Sequence, residues 1–390
     1  MTTDSANPRY RWHQIGLVGG DDDLCTGLPA PPPATAMGLL AGDEQLFSQA
    51  KAGSSSESVE RSHRTVLVTG GAGYIGSHTC KALAQAGYLP VVYDNLLHGH
   101  EWAVKWGPLE RGDIRDCSRL AEVFATYKPA SVLHFAGLAY VGQSVLDPGR
   151  YYEFNVAGSL TLAQAMRAHG VQRIVYSSTC ATYGAPEKLP IGEEAPQRPI
   201  NPYGASKLMV ERILADFRRA HGICCTALRY FNAAGADVGG ELGEAHDPET
   251  HLIPLVLGAA SGRRPPLAVF GTDYDTPDGT CIRDYIHVTD LAAAHVLALR
   301  VLEQGSALEA YNLGAGQGYS VREVIAATAR ITGLDVPFSA CPRRPGDPAV
   351  LVSDATRAHE ELGWRPKFSD LDTIIRTAWG WHQRGLSPDA

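Results

Sequence analysis

From Arg64 onward the chain alternates short apolar, β-branched runs with longer amphipathic stretches. The runs "TVLVTG", "PVVYDN", "SVLHFAG", "RIVYSST" and "TALRYFN" are nearly continuous in apolar character, which predicts strands buried on both faces. Between them, "SLTLAQAMRAHG" and "ASKLMVERILADFRRAHG" carry apolar residues at helical spacing. Strands alternating with helices predict an α/β fold, a doubly wound parallel sheet. After about Asn232 the text becomes richer in Gly, Pro and Asp. Helices are expected there at "HLIPLVLGAASG", "TDLAAAHVLALRVLEQG", "SVREVIAATARITG" and the chain end. That pattern predicts a smaller α/β lobe over residues 233–390, at the carboxyl edge of the sheet, with some segments returning to the first domain over residues 64–232. No internal repeat is evident.

Residues 1–63 break the pattern: "LPAPPPATAMG" is Pro- and Ala-rich, "AGSSSESVERS" is Ser-rich, and "DDD" is an acidic run. A disordered N-terminal extension is expected there. The 390 residues are 44% hydrophobic and 19% charged, with a net charge of −8. That balance offers no basic field for a polyanion, so nucleic acid is excluded as a partner. No apolar run approaches the roughly 20 residues that cross a bilayer, and a soluble cytoplasmic protein with no membrane association is expected. The eight cysteines form neither C-x-x-C pairs nor Cys/His clusters, so reduced thiols and no metal are expected.

The first strand runs into "GGAGYIGSH", placing Gly70, Gly73 and Gly76 at a strand-to-helix turn. Glycines there admit a tight turn and let a pyrophosphate reach the N–H groups at a helix's positive end; close packing of helix on strand is the structural alternative. Asp94 closes the next strand, where a carboxylate accepts from adenosine ribose hydroxyls and repels a 2′-phosphate, favouring NAD over NADP. Asp113, in "GDI", is placed to meet the adenine amino group. At the end of the fourth run, Ala136 and Gly137 leave room for a flat nicotinamide, and His134 reads as a core residue. "SSTCATYG" then sets Ser177, Ser178 and Thr179 at the carboxyl end of the fifth strand, where open α/β sheets bind ligands. In "NPYGASKLMVE", Tyr203 and Lys207 stand four residues apart on one helix face. Either they cap a turn and cover a surface, or Tyr203 is a base whose phenol is brought toward neutrality by the Lys207 ammonium and a cationic nicotinamide.

Taken together, "TVLVTGGAGYIGSH", "YDN", "GDIRD", "HFAG", "NPYGASK", "RYFNAAGA", "GTCIRDYIHVTDLA", "YNLGAG" and "RRPGD" resemble the extended short-chain dehydrogenase/reductase family, in its nucleotide-sugar epimerase branch, from about residue 64 to the C-terminus. The resemblance implies a Rossmann-type NAD-binding domain with a C-terminal UDP-sugar lobe, and a homodimer. It implies that Tyr203 is the catalytic base, Lys207 its partner, and Thr179 the hydroxyl that relays the 4′-OH proton. It further implies that Tyr74, Ile75, Asn95, Ile114, Phe135, Asn155 and Tyr230 join the residues above around NAD. Asn232, Leu252, Phe270, Arg283, Arg344 and Asp347 would hold the UDP-sugar with Thr179 and Tyr203. Two arginines suit a diphosphate because their planar forks give paired, charge-assisted hydrogen bonds. The chain departs from some members at Ala139, where they carry a Lys.

The activity so implied is reversible C4 epimerisation of a UDP-sugar, UDP-glucose/UDP-galactose by default, through a transient 4-keto sugar and a tightly held NAD. UDP-N-acetylhexosamines and UDP-pentoses remain open, since Leu351 at the sugar pocket is intermediate in bulk. A dehydratase or decarboxylase would need an Asp-Glu pair after Thr179, where Cys180 and Ala181 stand. A non-catalytic dinucleotide sensor would be free to lose Tyr203 or Lys207.

Overall fold

The computed structural model describes residues 64–305, 310–344 and 347–385. The expected disordered extension, 1–63, lies outside the described residues. In chain order the first part holds β1 (Thr65–Thr69), α1 (Tyr74–Gln85), β2 (Leu89–Asp94), β3 (Leu109–Arg111), α2 (Cys117–Tyr127), β4 (Ser131–His134), α3 (Val141–Leu146) and α4 (Pro148–Tyr151). A wider π-type segment, Tyr152–Ala157, leads into α5 (Gly158–Ala168), β5 (Arg173–Thr179), α6 (Pro202–His221) and β6 (Cys224–Tyr230). Then come β7 (Asn232–Ala234), α7 (Leu252–Ala260), β8 (Leu267–Phe270), β9 (Ile282–His287), α8 (Val288–Glu303) and β10 (Ala310–Leu313). The chain closes with β11 (Gly318–Ser320), α9 (Val321–Thr332), β12 (Phe338–Cys341), β13 (Val350–Leu351), α10 (Thr356–Glu361) and α11 (Leu371–Gln383).

Seven strands form one sheet in the order β10-β6-β5-β4-β1-β2-β3, every neighbouring pair parallel. Alternate residues of the buried strands face opposite layers, as a doubly covered parallel sheet requires. Val66, Val68 and Val92 pack with Leu291 and Leu299 of α8, whereas Leu67, Val91 and Val132 pack with Leu120 of α2, Leu162 of α5 and Val210 of α6. The order in which successive strands are laid down reverses between β1 and β4, and at such a switch point the carboxyl ends of the strands open a crevice for ligands.

The second lobe is built on β9, paired with β7 and β13 in parallel and with β11 antiparallel. Ile253 and Val256 of α7, Val324 of α9 and Ile374 of α11 close its own core with Tyr285 of β9. Residues 288–313 return to the large sheet, α8 covering one face and β10 adding the edge strand beside β6. The four-residue run "AYNL" of β10 is too short to announce its sheet; its place follows from the apolar face of α8 that precedes it.

Candidate active site

The glycine turn is the first wall. Gly70 has φ +74°, and a Cβ on it would lie 2.5 Å from the Ala136 nitrogen, so only glycine fits between β1 and the end of β4. Helix α1 begins at Tyr74 with Gly73 as its N-cap and no side-chain cap. The first-turn N–H groups have no intrahelical acceptor and form a ready anion site. Gly76, expected to open the helix, is the third residue of its first turn. A Cβ there would come within 2.2 Å of the Gly70 carbonyl oxygen, so Gly76 serves close packing of helix on turn while Gly73 stands at the anion site.

Asp94, at the end of β2, is buried. It accepts the Ala72 N–H at 3.0 Å on one oxygen and the Leu96 N–H at 2.8 Å on the other. Burial pushes its carboxyl up from the ordinary value, and those two N–H groups oppose the shift. Asp113 is held by Arg115 and by the Asn95 amide at 3.0 Å; the Arg115 hydrogen bond holds its carboxyl below the usual range. Past β4, Asn155 fixes Leu138 through its amide, accepting the Leu138 N–H at 2.7 Å and donating to the Leu138 carbonyl at 3.1 Å. It also donates to the Ser206 hydroxyl of α6 at 2.9 Å. His134 is a core residue, as expected, held between the hydroxyls of Thr69 at 2.7 Å and Ser159 at 2.8 Å. Burial pushes its imidazole down to about 3, so it stays neutral.

Helix α6 sets the next wall. Its start is written into "NPYG": Asn201 caps by accepting the Gly204 N–H at 2.8 Å, and Pro202 takes the first position, where no donor is needed. Tyr203 and Lys207 therefore face inward one turn apart, both buried. Lys207 donates to the Ser177 carbonyl at 2.9 Å, and its ammonium is 6.0 Å from the centre of the Tyr203 ring. Thr179 closes β5 and caps the short turn that follows. The Ser177 hydroxyl meets the Tyr230 hydroxyl from the neighbouring strand β6.

The second lobe supplies the far end. Arg283 of β9 pairs with Asp347 and donates to the Pro348 carbonyl at 2.8 Å. The Arg344 guanidinium lies 4.1 Å from the centre of the Phe270 ring. One cavity of about 1300 Å³ connects both ends. Gly70, Gly73, Tyr74, Ile75 and Gly76 line it with Asp94, Asn95, Asp113 and Ile114. So do Phe135, Ala136, Gly137, Thr179, Tyr203, Lys207 and Tyr230, and, from the second lobe, Asn232, Leu252, Phe270, Arg283, Arg344 and Asp347. Two of the expected residues stand off the wall: Asn155, which positions the strand-end loop, and Ser178, whose hydroxyl donates to Glu211 at 2.5 Å.

Residues 66–314 match the NAD dependent epimerase/dehydratase family. The chain belongs to that family. It is 54% identical over 320 residues to a UDP-glucose 4-epimerase of Rhizobium leguminosarum bv. trifolii, a match that covers 82% of this chain and 98% of that protein. The solved UDP-glucose 4-epimerase of Brucella ovis, in complex with NAD, superposes with a TM-score of 0.80 at 57% identity, over 81% of this chain and 97% of that one. The Bifidobacterium longum enzyme, in complex with NAD⁺ and UDP, gives a TM-score of 0.78 at 41% identity, over 82% and 98%.

Two features of this epimerase/dehydratase cavity go beyond the sequence reading. The expected fall of the Tyr203 phenol toward neutrality rests on Lys207 together with a cationic nicotinamide; among the chain's own groups, burial pushes the phenol up, Tyr230 adds to the shift, and the Thr179 hydroxyl opposes it. Burial likewise pushes the Lys207 amine down to about 8, with Glu211 opposing. Desolvation outweighs the single ammonium because both groups are cut off from water. The second feature is the loop before α7, which brings Glu244, His246 and His251 to the same cavity. No reading of strands and helices reaches that loop; its signal in the sequence is the repeated Glu-x-His of "EAH" and "ETH".

Proposed function

We propose that the chain interconverts UDP-glucose and UDP-galactose by inversion at C4′, using a tightly bound NAD. The observation that carries the reading is the grouping of Tyr203, Lys207 and Thr179 midway between an uncapped helix N-terminus and a pair of arginines, all in one cavity. The missing Cβ atoms of Gly70 and Gly73 and the free first-turn donors of α1 fit a dinucleotide pyrophosphate. Asp94 keeps acceptor capacity for a ribose diol. Bound NAD supplies reversible hydride exchange with C4′ and a positive charge that joins Lys207 in favouring the phenolate. Tyr203 holds the 4′-OH proton, directly or through Thr179, and gives it back once the ketone has turned over. Arg283 and Arg344 grip the diphosphate while the hexose turns, the division of labour that inversion requires. On this reading residues 64–232 carry the cofactor side and the second lobe the UDP side.

Purified protein is assayed against a panel of UDP-sugars with no added nucleotide, and the supernatant after denaturation is analysed for NAD. Interconversion of UDP-glucose and UDP-galactose, with NAD released on denaturation, is expected. A strict requirement for added NAD, with none released, would point to a dehydrogenase instead. Turnover of only an N-acetylhexosamine or a pentose derivative would move the substrate and leave the mechanism.

Two finer assignments accompany this reading. We propose a homodimer, for which exposed Met209 on α6 and exposed Tyr152 on the π-type segment packed against it offer an apolar face; a monomer mass by light scattering would refute it. We also propose action in the cytoplasm, since the described cysteines are free thiols suited to a reducing compartment. Among the described residues no helix is long and apolar enough to cross a membrane.

A further inference from the structure

Glu244, His246 and His251 of the cavity wall converge with Glu249, each offering one ligand atom, and the four atoms lie within 4.8 Å of one another. His246 Nδ1 is 2.9 Å from a Glu244 oxygen and 3.9 Å from a Glu249 oxygen, and His251 Nδ1 contacts the same Glu244 oxygen. The two imidazole rings stand edge to face, their centres 5.1 Å apart. A zinc-class ion binds N and O ligands at about 2.0–2.2 Å, which sets tetrahedral ligands roughly 3.3–3.6 Å apart, inside the range these atoms span.

The cluster is also preorganised. Glu249 is oriented by the Thr250 and His251 N–H groups at 2.7 and 2.8 Å. The carboxylates of Glu244 and Glu249 are only 6% and 5% exposed, so their two negative charges need compensation. His246 lies edge to face with Tyr74, at the mouth of the glycine turn, and His251 is the N-cap of α7. An independent sign of a missing partner is the Tyr140 hydroxyl, which is buried with no hydrogen-bond partner among the described residues although its ring meets His246 edge-on. A metal-bound water is a partner of the right kind.

We propose that Glu244, His246, Glu249 and His251 bind one divalent transition-metal ion of the zinc class. Two neutral imidazoles, two carboxylates and one dication sum to zero charge, and the mixed nitrogen and oxygen set disfavours calcium and magnesium, which take oxygen shells. The ion ties the loop 244–251 to the start of α7 and removes the carboxylate field from the cavity. The inference rests on this side-chain geometry alone and does not depend on which sugar is turned over.

Full-length protein freed of metal with a chelator is titrated with zinc chloride by calorimetry and with cobalt chloride by visible absorption. One ion per chain is expected, with cobalt bands of tetrahedral intensity and no thiolate charge-transfer band, and zinc should raise Tm. His246→Ala and Glu249→Gln should each bind zinc at least about 10-fold more weakly, the least that loss of a ligand should cost where outer-shell partners already cost 10–100-fold. Circular dichroism establishes which variants fold, and either one suffices. No saturable zinc binding, a thiolate band, or folded variants that bind within about 10-fold of the parent would overturn the site.

Discussion

Tyr203 and Lys207 have their proton affinities shifted the wrong way for their task by burial alone, and this makes their roles measurable. Tyr203→Phe keeps the ring that fills the wall and removes only the hydroxyl. It is expected to leave NAD content unchanged and lower kcat by about 10²–10⁴, the usual worth of a positioned acid/base group. A variant keeping more than about half the parent kcat would exclude Tyr203 as the base. For Lys207 the sign runs through the unfolded chain. Its amine titrates near the ordinary 10.5 when unfolded and at about 8 when buried. Below about pH 8 both states are protonated and the full burial cost weighs on the fold; between about 8 and 10.5 the unfolded chain holds more protons, so stability rises with pH. Lys207→Met removes that cost, less the roughly 1 kcal/mol of its hydrogen bond to Ser177. The cofactor-free variant is expected to be more stable than the parent at pH 7 by on the order of 2 kcal/mol, with the gap closing toward pH 10.5, while turnover falls. Urea unfolding at several pH values reads this directly, and a gap that does not change with pH would remove burial as its cause.

Among elements, those with punctuation in their text were the legible ones. Asn201 and Pro202 open α6 and Gly222 closes it in the left-handed conformation; Ser320 and Glu323 form a capping box on α9, and Gly333 ends it. Each matches its sequence boundary to within a few residues because the capping chemistry is local. Strands β7, β11 and β13 were not legible, since two or three residues carry no period to read, and their pairing on β9 is decided by the packed lobe. The same distinction holds within the site. Residues inside strand-end and helix-start motifs could be placed on the cavity from the text, whereas Glu244 and His246 reach it through a loop whose course only the folded lobe fixes. The helix start also moved: α1 begins at Tyr74, which assigns Gly76 to packing. Gly76→Ala therefore forces a methyl to 2.2 Å from the Gly70 carbonyl oxygen. Relief requires moving the backbone, at a cost of about 1–3 kcal/mol, and the shift opens the anion site. Lower Tm and loss of co-purifying NAD are expected together. A variant that keeps its NAD with unchanged Tm would show the turn to be more yielding than this contact allows.

At the scale of the molecule, the cavity takes its walls from both ends of the described chain, Gly70 near the first strand and Arg344 beyond β12, so it needs the whole of that fold. The family match begins at residue 66, and 82% of this chain covers 98% of the Rhizobium leguminosarum relative. The first strand is anchored from Arg64 on: the Arg64 carbonyl accepts the Leu89 N–H at 2.8 Å, and Thr65 is already buried. A cut after His63 preserves that bond and every wall of the cavity, whereas a cut three residues later would remove the start of β1 and its pairing with β2. Deleting residues 1–63, which precede the family match at residue 66, is therefore expected to leave Tm, NAD content and kcat within about two-fold of the full chain. Deleting residues 1–66 is expected to lower Tm. Thermal unfolding and the UDP-sugar assay on the two truncations test the boundary from both sides. Loss of activity in the shorter deletion, with its fold retained by circular dichroism, would assign the first 63 residues a part in the reaction that the cavity does not require.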